Sequence, residues 1–405
     1  MSASENMVLT PLKQMPNPLP QTWSDAIRDS HAFLHRQVLE GRELANWLRH
    51  EVSMCRSRIY SHSDDTGLAQ GAFITTEQYA GSYEVQVGWV FAGDLTRCGI
   101  TEMIIEGLEL VFSDPSRDRV IWSLVADEAL DIERYRKFGF VLEGVSRESF
   151  QEDHIRRDVL MLGLLRRDWL AVRDGLASRF ICSGQKARAG KVYAIQILTD
   201  FGSWIAPYVE DLALEWELAG HSVRVSYSVE QTLPADFCFC LSFSRIVSPV
   251  TRQHYRHTLV VHESDLPQGR GWAPMTWQIL EGKNRIPITL IEAVDAVDAG
   301  PIYLQEWIEL NGTELNSEWR ALQAQTTQHM CRQWVQAYPA IAESARHQEA
   351  GGSIYARRRP ADSRLDPSKT LAEQFNLLRV VDNESYPAFF EFNGRRYRIR
   401  IDPQD

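Results

Sequence analysis

The sequence predicts a two-part α/β protein, on three observations. Strand-like and helix-like periods alternate along both halves; the small, polar and basic stretch SGQKARAG at 183–190 interrupts them; and the apolar, strand-like KVYAIQILTD follows directly. At 405 residues the chain exceeds one ordinary core, because domains usually run to about 100–200 residues. The expected organisation is a loose arm over 1–21, a mixed α/β domain over 22–180, a linker over 183–190, a domain built on a doubly wound sheet over 191–345, and a small α+β appendix over 346–405.

The first twenty residues are rich in Pro, Ser and Asn and lack periodicity, which marks the arm. From about Thr22 to Phe180 the order runs helix, strands, helix, strand, helix, strands. EVQVGWVF at 84–91 reads as a strand, and after AGDLTRC a helix puts Ile100, Met103, Ile104, Leu108 and Val111 on one face. VIWSLVADE, DIERYRKFGF and RRDVLMLGLLRRDW complete this half.

After the linker, KVYAIQILTD leads into SWIAPYVEDLALEWELAGH, where Trp204, Tyr208, Leu212 and Trp216 recur near helical period and Gly220 offers a C-terminal cap. SVRVSYS and DFCFCLSF supply two more strands, so this half opens as strand, helix, strand and buried strand. Cys238 and Cys240 alternate inside an apolar run, the pattern of buried strand thiols. Near the end EQFNLLRVV is helical, while PAFFEF and RRYRIRI flank Asn393-Gly394, a pair suited to a two-residue hairpin turn.

A formal net charge of −11 disfavours a polyanionic partner, because phosphate backbones are bound through clustered Lys and Arg. No nucleic acid is expected. The opening residues lack a signal-peptide core, and no stretch approaches the roughly 20 apolar residues of a membrane helix, so the expectation is a cytoplasmic protein without a membrane partner. The six cysteines show no zinc-type CxxC pairs, and no metal site is expected. Oligomeric state is left open, with a homo-oligomer among the options.

The stretch VVHESDLPQGRGWAPMTWQILEGKNRIPITLIEAVDAVDAGPIY resembles the core of the folate-dependent formyltransferases, whose pattern is a His, then S-x-L-P, a Gly-rich turn and a variant of L-D-T-G. Here His262 opens HESDLP and VDAG places Asp298 at the family's Asp, 36 residues on. The chemistry wants such groups. An amine attacking a formyl carbon loses a proton while the folate nitrogen gains one, work for a group titrating near neutral pH. His262 would move that proton, and a nearby carboxylate, Asp298, would fix the imidazole tautomer and stabilise its protonated form. The family's oxyanion Asn, two residues before the His, is Val260 here; Thr258, on the same strand face, is the expected substitute donor.

The resemblance implies a Rossmann-like sheet, formyl-tetrahydrofolate as cofactor, and a pterin site against Ala293, Val294 and Asp295, with Ile246 in LSFSRIVSP across the pocket. It further implies acceptor contacts from Ser264, Asp265, Gly269, Arg270, Gly271 and Trp272. SWI at 203–205, the GRGW loop and QFNLLRVVDNESYPAFFEFNG resemble the sugar N-formyltransferases, which implies a nucleotide-linked amino-dideoxy sugar as acceptor.

The segment from about Trp23 to Trp169 resembles the GNAT superfamily of acetyl-CoA-dependent N-acetyltransferases, through YRKFGFVLEG and the closing run to Trp169. That implies acetyl-CoA as a second cofactor, held at the helix N-terminus around Arg97 and Gly99, with Tyr135 where the family often protonates the departing thiolate. The loop TRCGIT keeps Gly99 but carries Thr96 and Thr101 at the family's outer glycine-loop positions, and Asp127, Glu128 and Asp131 are acidic where phosphates would lie. The readings are therefore a formyltransferase fused to a GNAT-like domain that acetylates a related amine, a weakly catalytic or non-catalytic nucleotide-sugar or CoA binding protein, and an aminoacyl-tRNA formyltransferase.

Overall fold

A computed structural model describes residues 10–11, 57–63, 69–76, 83–91, 97–125, 135–152, 155–181 and 191–403. The expected arm, apart from 10–11, and the whole of the expected linker lie outside them, as do Thr96, Asp127, Glu128 and Asp131. The chain divides into two compact units, the first reaching Gly190 and the second opening at Lys191, except that Leu214–Gly220 groups with the first.

The first unit is a seven-stranded sheet in the order β1-β2-β3-β4-β5-β7-β6, formed by β1 (Thr10–Pro11), β2 (Ser57–Ser63), β3 (Ala69–Thr76), β4 (Glu84–Phe91), β5 (Arg119–Val125), β6 (Val141–Glu152) and β7 (Ile155–Leu165). Among the described strands of this sheet only β4 and β5 pair in parallel, and helix α1 (Arg97–Phe112) makes the crossover between them. Its apolar stripe, Met103, Ile104 and Leu108, is fully buried on Trp89 and Trp122, and α2 (Arg166–Ile181) adds buried Trp169 to the same core. The Trp89 indole N–H, which would be costly to bury unpaired, donates to the Met103 carbonyl at 3.2 Å.

The second unit carries a six-stranded sheet in the order β14-β13-β11-β10-β8-β9, with β8 (Ala194–Leu198), β9 (Ser222–Ser226), β10 (Ala235–Cys240), β11 (Tyr255–His262), β13 (Arg285–Glu292) and β14 (Ile302–Glu309). β9, β8, β10 and β11 run parallel, so the α/β fold class holds, with helix α3 (Ala206–Leu218) as the first crossover. The two remaining strands are antiparallel, a departure from an all-parallel sheet. The cause lies in the path after His262: the chain makes the two-residue strand β12 (Arg270–Gly271) and the short helix α5 (Pro274–Leu280), after the single turn α4 (Pro249–Arg252) earlier, and enters β13 at the end where β11 stopped.

Helix α6 (Asn316–Ala337) starts with the Glu318 carboxylate accepting from the Leu315 N–H at 2.8 Å. It buries Trp319, Gln323, Thr327, Met330 and Trp334, spaced three and four residues apart on one face. A single turn, α7 (Ala340–Glu343), leads to β15 (Ile354–Tyr355), which pairs with β12. The chain ends in α8 (Phe375–Val380) and a hairpin of β16 (Ala388–Phe392) and β17 (Arg395–Ile399) around Asn393-Gly394. Cys238 and Cys240 are buried in β10. No helix among the described residues is long and apolar enough to cross a membrane.

Candidate active site

In an open α/β sheet, ligands bind beyond the carboxyl ends of the parallel strands, where the strand order reverses. The second unit has a cavity of about 480 Å³ at that place, lined by Asp200, Ser203 and Trp204 after β8, by 242–247 after β10, and by Val260 to Glu263 at the end of β11. Residues 271–276, residues 293–295, 297 and 298 of the β13–β14 loop, and Trp319, Arg320 and Gln323 of α6 also line it.

His262 is the last residue of β11 and is 5% exposed. Its Nε2–H donates to the Gly269 carbonyl at 2.8 Å, since a carbonyl can only accept. That bond turns Nδ1 toward the Asp298 carboxylate, 3.6 Å away. The separation is longer than a good hydrogen bond and short enough for a charge on the ring to be felt.

Asp298 is held by the backbone around it. It adopts a left-handed φ of +53°, its carboxylate accepts from the Gly271 N–H at 2.9 Å, and its carbonyl accepts from the Gln348 side chain at 2.8 Å. Two glycines make this possible. A Cβ on Gly300 would lie 1.7 Å from the Glu292 carbonyl oxygen, and one on Gly271, at φ +103°, would lie 2.4 Å from that of Tyr355. Gly271 of QGRG and Gly300 of VDAG are thus places where main chain must pass close to main chain.

The loop after β13 is tied down at its root. The Glu292 carboxylate accepts from the Thr258 N–H at 2.7 Å, from the His257 ring at 2.9 Å and from the Tyr303 hydroxyl at 2.7 Å. Burial and the Glu292 charge push the Tyr303 hydroxyl well above the usual tyrosine range, so it stays a donor. Farther along, Arg252 donates to the Val294 carbonyl at 3.0 Å and pairs with Asp295.

Of the residues singled out by sequence, His262, Asp298, Ile246, Ala293, Val294, Asp295, Gly271 and Trp272 all border this cavity. Thr258 does not. It is 1% exposed, four residues down the strand and so about 13 Å from His262, and its N–H and C=O are taken by Glu292 and Ala293. Ser264, Asp265, Gly269 and Arg270 also lie outside the lining. Ser264 is buried with its carbonyl accepting from Thr289, Asp265 accepts from Gln305, Gly269 serves His262, and Arg270 donates to Gln348. These four support the loop, and the residues that follow and precede them face the cavity.

In the first unit Tyr135 is 4% exposed, its ring 4.2 Å from that of Trp122 at the end of a run through Trp89 and Phe73. Arg97 and Gly99 fall in the first turn of α1, and Gly99 is buried.

Several cavity residues escaped the sequence reading: Glu263, Trp319, Arg320 and Gln323. Glu263 sits inside the motif, beside His262, and the one-turn spacing of Trp319 and Gln323 is a signal that was there to use. Gln348, Ser353 and Tyr355 gave none. Ser353 accepts from the Gly269 N–H at 2.9 Å, and Tyr355 accepts from the Trp272 N–H at 3.2 Å, contacts that span about eighty residues.

Residues 223–331, which include His262, Asp298, Gln323 and the whole β13–β14 loop, match the family model described as formyl transferase. The second unit carries a formyltransferase domain. The chain is accordingly an enzyme of the transferase kind. Among solved structures, the chain is similar to methionyl-tRNA formyltransferase from Clostridium thermocellum, at 21% identity over 50% of this chain and 90% of that one, with a TM-score of 0.44. It is also similar to a 4-N formyltransferase from Francisella tularensis, at 13% identity over 53% of this chain and 100% of that one, with a TM-score of 0.39. A spermidine/spermine N-acetyltransferase from Vibrio cholerae matches at 15% identity over 41% of this chain and 96% of that one, with a TM-score of 0.36.

Proposed function

We propose that the second unit transfers a formyl group from formyl-tetrahydrofolate to the amine of a nucleotide-linked amino-dideoxy sugar. The observation that carries this reading is the buried His262, its ring fixed by the Gly269 carbonyl and its free nitrogen 3.6 Å from Asp298, opening on a cavity of ligand size.

The lining suits the donor. Ile246, Val294 and Val297 are large apolar side chains left 67%, 37% and 44% exposed on that wall, cover for a flat ring system, with loop main chain beside them. When bound, formyl-tetrahydrofolate supplies the formyl carbon and a nitrogen leaving group. His262 takes a proton from the attacking amine at Nδ1 and returns it to the departing nitrogen, and Asp298 stabilises the imidazolium in between. Val260 lines the wall without a side-chain donor.

The lining also suits a nucleotide sugar better than a bare amine. Trp204 and Trp272, the latter 42% exposed, supply aromatic surface for a base or sugar face, and the acidic chain disfavours tRNA. The second formulation, in which the first unit acetylates a related amine from acetyl-CoA, rests on its resemblance alone.

Incubating the protein with formyl-tetrahydrofolate and a panel of nucleotide-linked amino sugars tests the reading. The expected result is an acceptor heavier by one formyl group, found by mass spectrometry. No formylated product across amines at several ring positions overturns it.

A further inference from the structure

Glu263 lines the cavity beside His262 and takes no part in the proton transfer assigned to His262 and Asp298. Successive strand residues face opposite sides, and a side chain following a buried histidine should point away from its site. The strand ends too sharply for that. The last ladder pair is His262 with Thr289, and the Ser264 N–H folds back onto the His262 carbonyl at 3.0 Å, a three-residue turn that brings Glu263 round to the lining.

The carboxylate is set, not loose. One oxygen accepts from the Gln323 side chain on α6 at 2.6 Å, and the Glu263 carbonyl accepts from Gln278 on α5 at 2.5 Å. A carboxylate has about four lone-pair sites, so one neutral amide leaves acceptor capacity toward the cavity. The arginines that share the lining are committed elsewhere: Arg320 pairs with Asp382 at 2.9 Å and lies over the Trp204 ring at 5.5 Å, Arg252 pairs with Asp295, and Arg245 donates to the Tyr227 carbonyl at 3.0 Å. Burial raises the Glu263 carboxyl above its ordinary range, opposed by His262 and the Gln323 bond and assisted by Asp298, which makes its carboxylate a stronger proton acceptor.

We infer that Glu263 is the subsite that receives the acceptor's amine, in its ammonium form, and takes the first of its two protons. The inference rests on the formyl-transfer reading and names the acceptor class more closely: a primary amine basic enough to arrive protonated. An ammonium has no lone pair and cannot attack. Glu263 removes one proton, freeing the nitrogen; the new C–N bond then forms as the second proton passes to His262 Nδ1, which hands it to the departing nitrogen. Glu263 returns its proton to solvent, and one proton is released per turnover.

The test uses Glu263→Gln, which keeps the side chain's size and its bond from Gln323 but cannot take the proton. With the melting temperature as a control for folding, two quantities are read on the full chain. The first is kcat/KM for the amino sugar from about pH 6 to about pH 10: the variant should fall about a hundredfold at the acid end and approach the wild type as the free amine accumulates. The second is binding, by calorimetry without donor, of the amino sugar nucleotide and its hydroxyl analogue: the wild type should prefer the amine about tenfold and the variant should show no preference. A variant that keeps both the pH profile and the preference overturns the role of Glu263 while the formyl-transfer reading stands. A wild type that prefers the amine yet never formylates it overturns that reading while the subsite stands.

Discussion

Tyr135 in the first unit and His262 in the second are equally hidden, at 4% and 5% exposure, and each sits in a segment resembling a known acyltransferase motif. Their surroundings differ in kind. Tyr135 closes a run of rings with Trp122, Trp89 and Phe73 at centroid spacings of 4.2, 4.4 and 4.8 Å, the packing expected of core aromatics. His262 has a carbonyl on one nitrogen, a carboxylate facing the other, and a cavity in front. The partners around His262 hold one ring nitrogen and leave the imidazole bordering open volume, the arrangement a proton-handling group needs.

The contrast can be broken first at its strongest point. His262→Ala should lower kcat for formyl transfer about a thousandfold, the range of a lost proton-handling group, while Tyr135→Phe leaves it unchanged. A formylation rate that follows Tyr135 instead would reverse the comparison. Tyr135→Ala should cost about 3–5 kcal/mol of stability by emptying the ring cluster, read as a lower denaturation midpoint of the first unit at constant formyl-transfer rate. Gly300→Ala should cost about 1–3 kcal/mol and raise KM for the folate donor, because the new methyl meets the Glu292 carbonyl and displaces the loop that holds Asp298.

A smaller effect sharpens the reading of Glu263. Because burial raises its carboxyl, the folded state favours the protonated form; that contribution is complete below the ordinary glutamate range and is lost as pH rises through the raised value. Glu263→Gln removes the dependence, so its melting temperature should exceed that of the wild type by an amount that widens as pH rises from the ordinary glutamate range through the raised value. A constant difference across that range would contradict it. The smallest effect, about 1 kcal/mol, is expected for Tyr303→Phe, which removes one of three donors to Glu292 at the root of the loop.

What the sequence made legible follows from how local each feature is. The apolar stripe of α1, the buried thiols of β10 and the Asn393-Gly394 hairpin are set by neighbours a few residues away, and all are present. The motif around His262 and Asp298 carried both residues and, in Ala293, Val294 and Asp295, part of the cavity lining. Strand alternation points to Thr258, but it gives the face of a side chain and not its depth, and Thr258 lies two residues below Val260, where the cavity lining begins on this strand. The antiparallel β13 and the support of the Gly-rich loop by Gln348, Ser353 and Tyr355 depend on pairings across tens of residues that no short pattern records. Glu263 escaped because a tight turn reverses the direction that alternation assigns to it.

The central claim is that His262 and Asp298 act as one proton-handling unit. Measuring kcat for His262→Ala, Asp298→Ala and the double variant, at saturating donor and acceptor, tests it most directly. Losses of similar size in all three are predicted, because either change disables the same step. A double variant whose loss is the product of the two single losses would contradict the account.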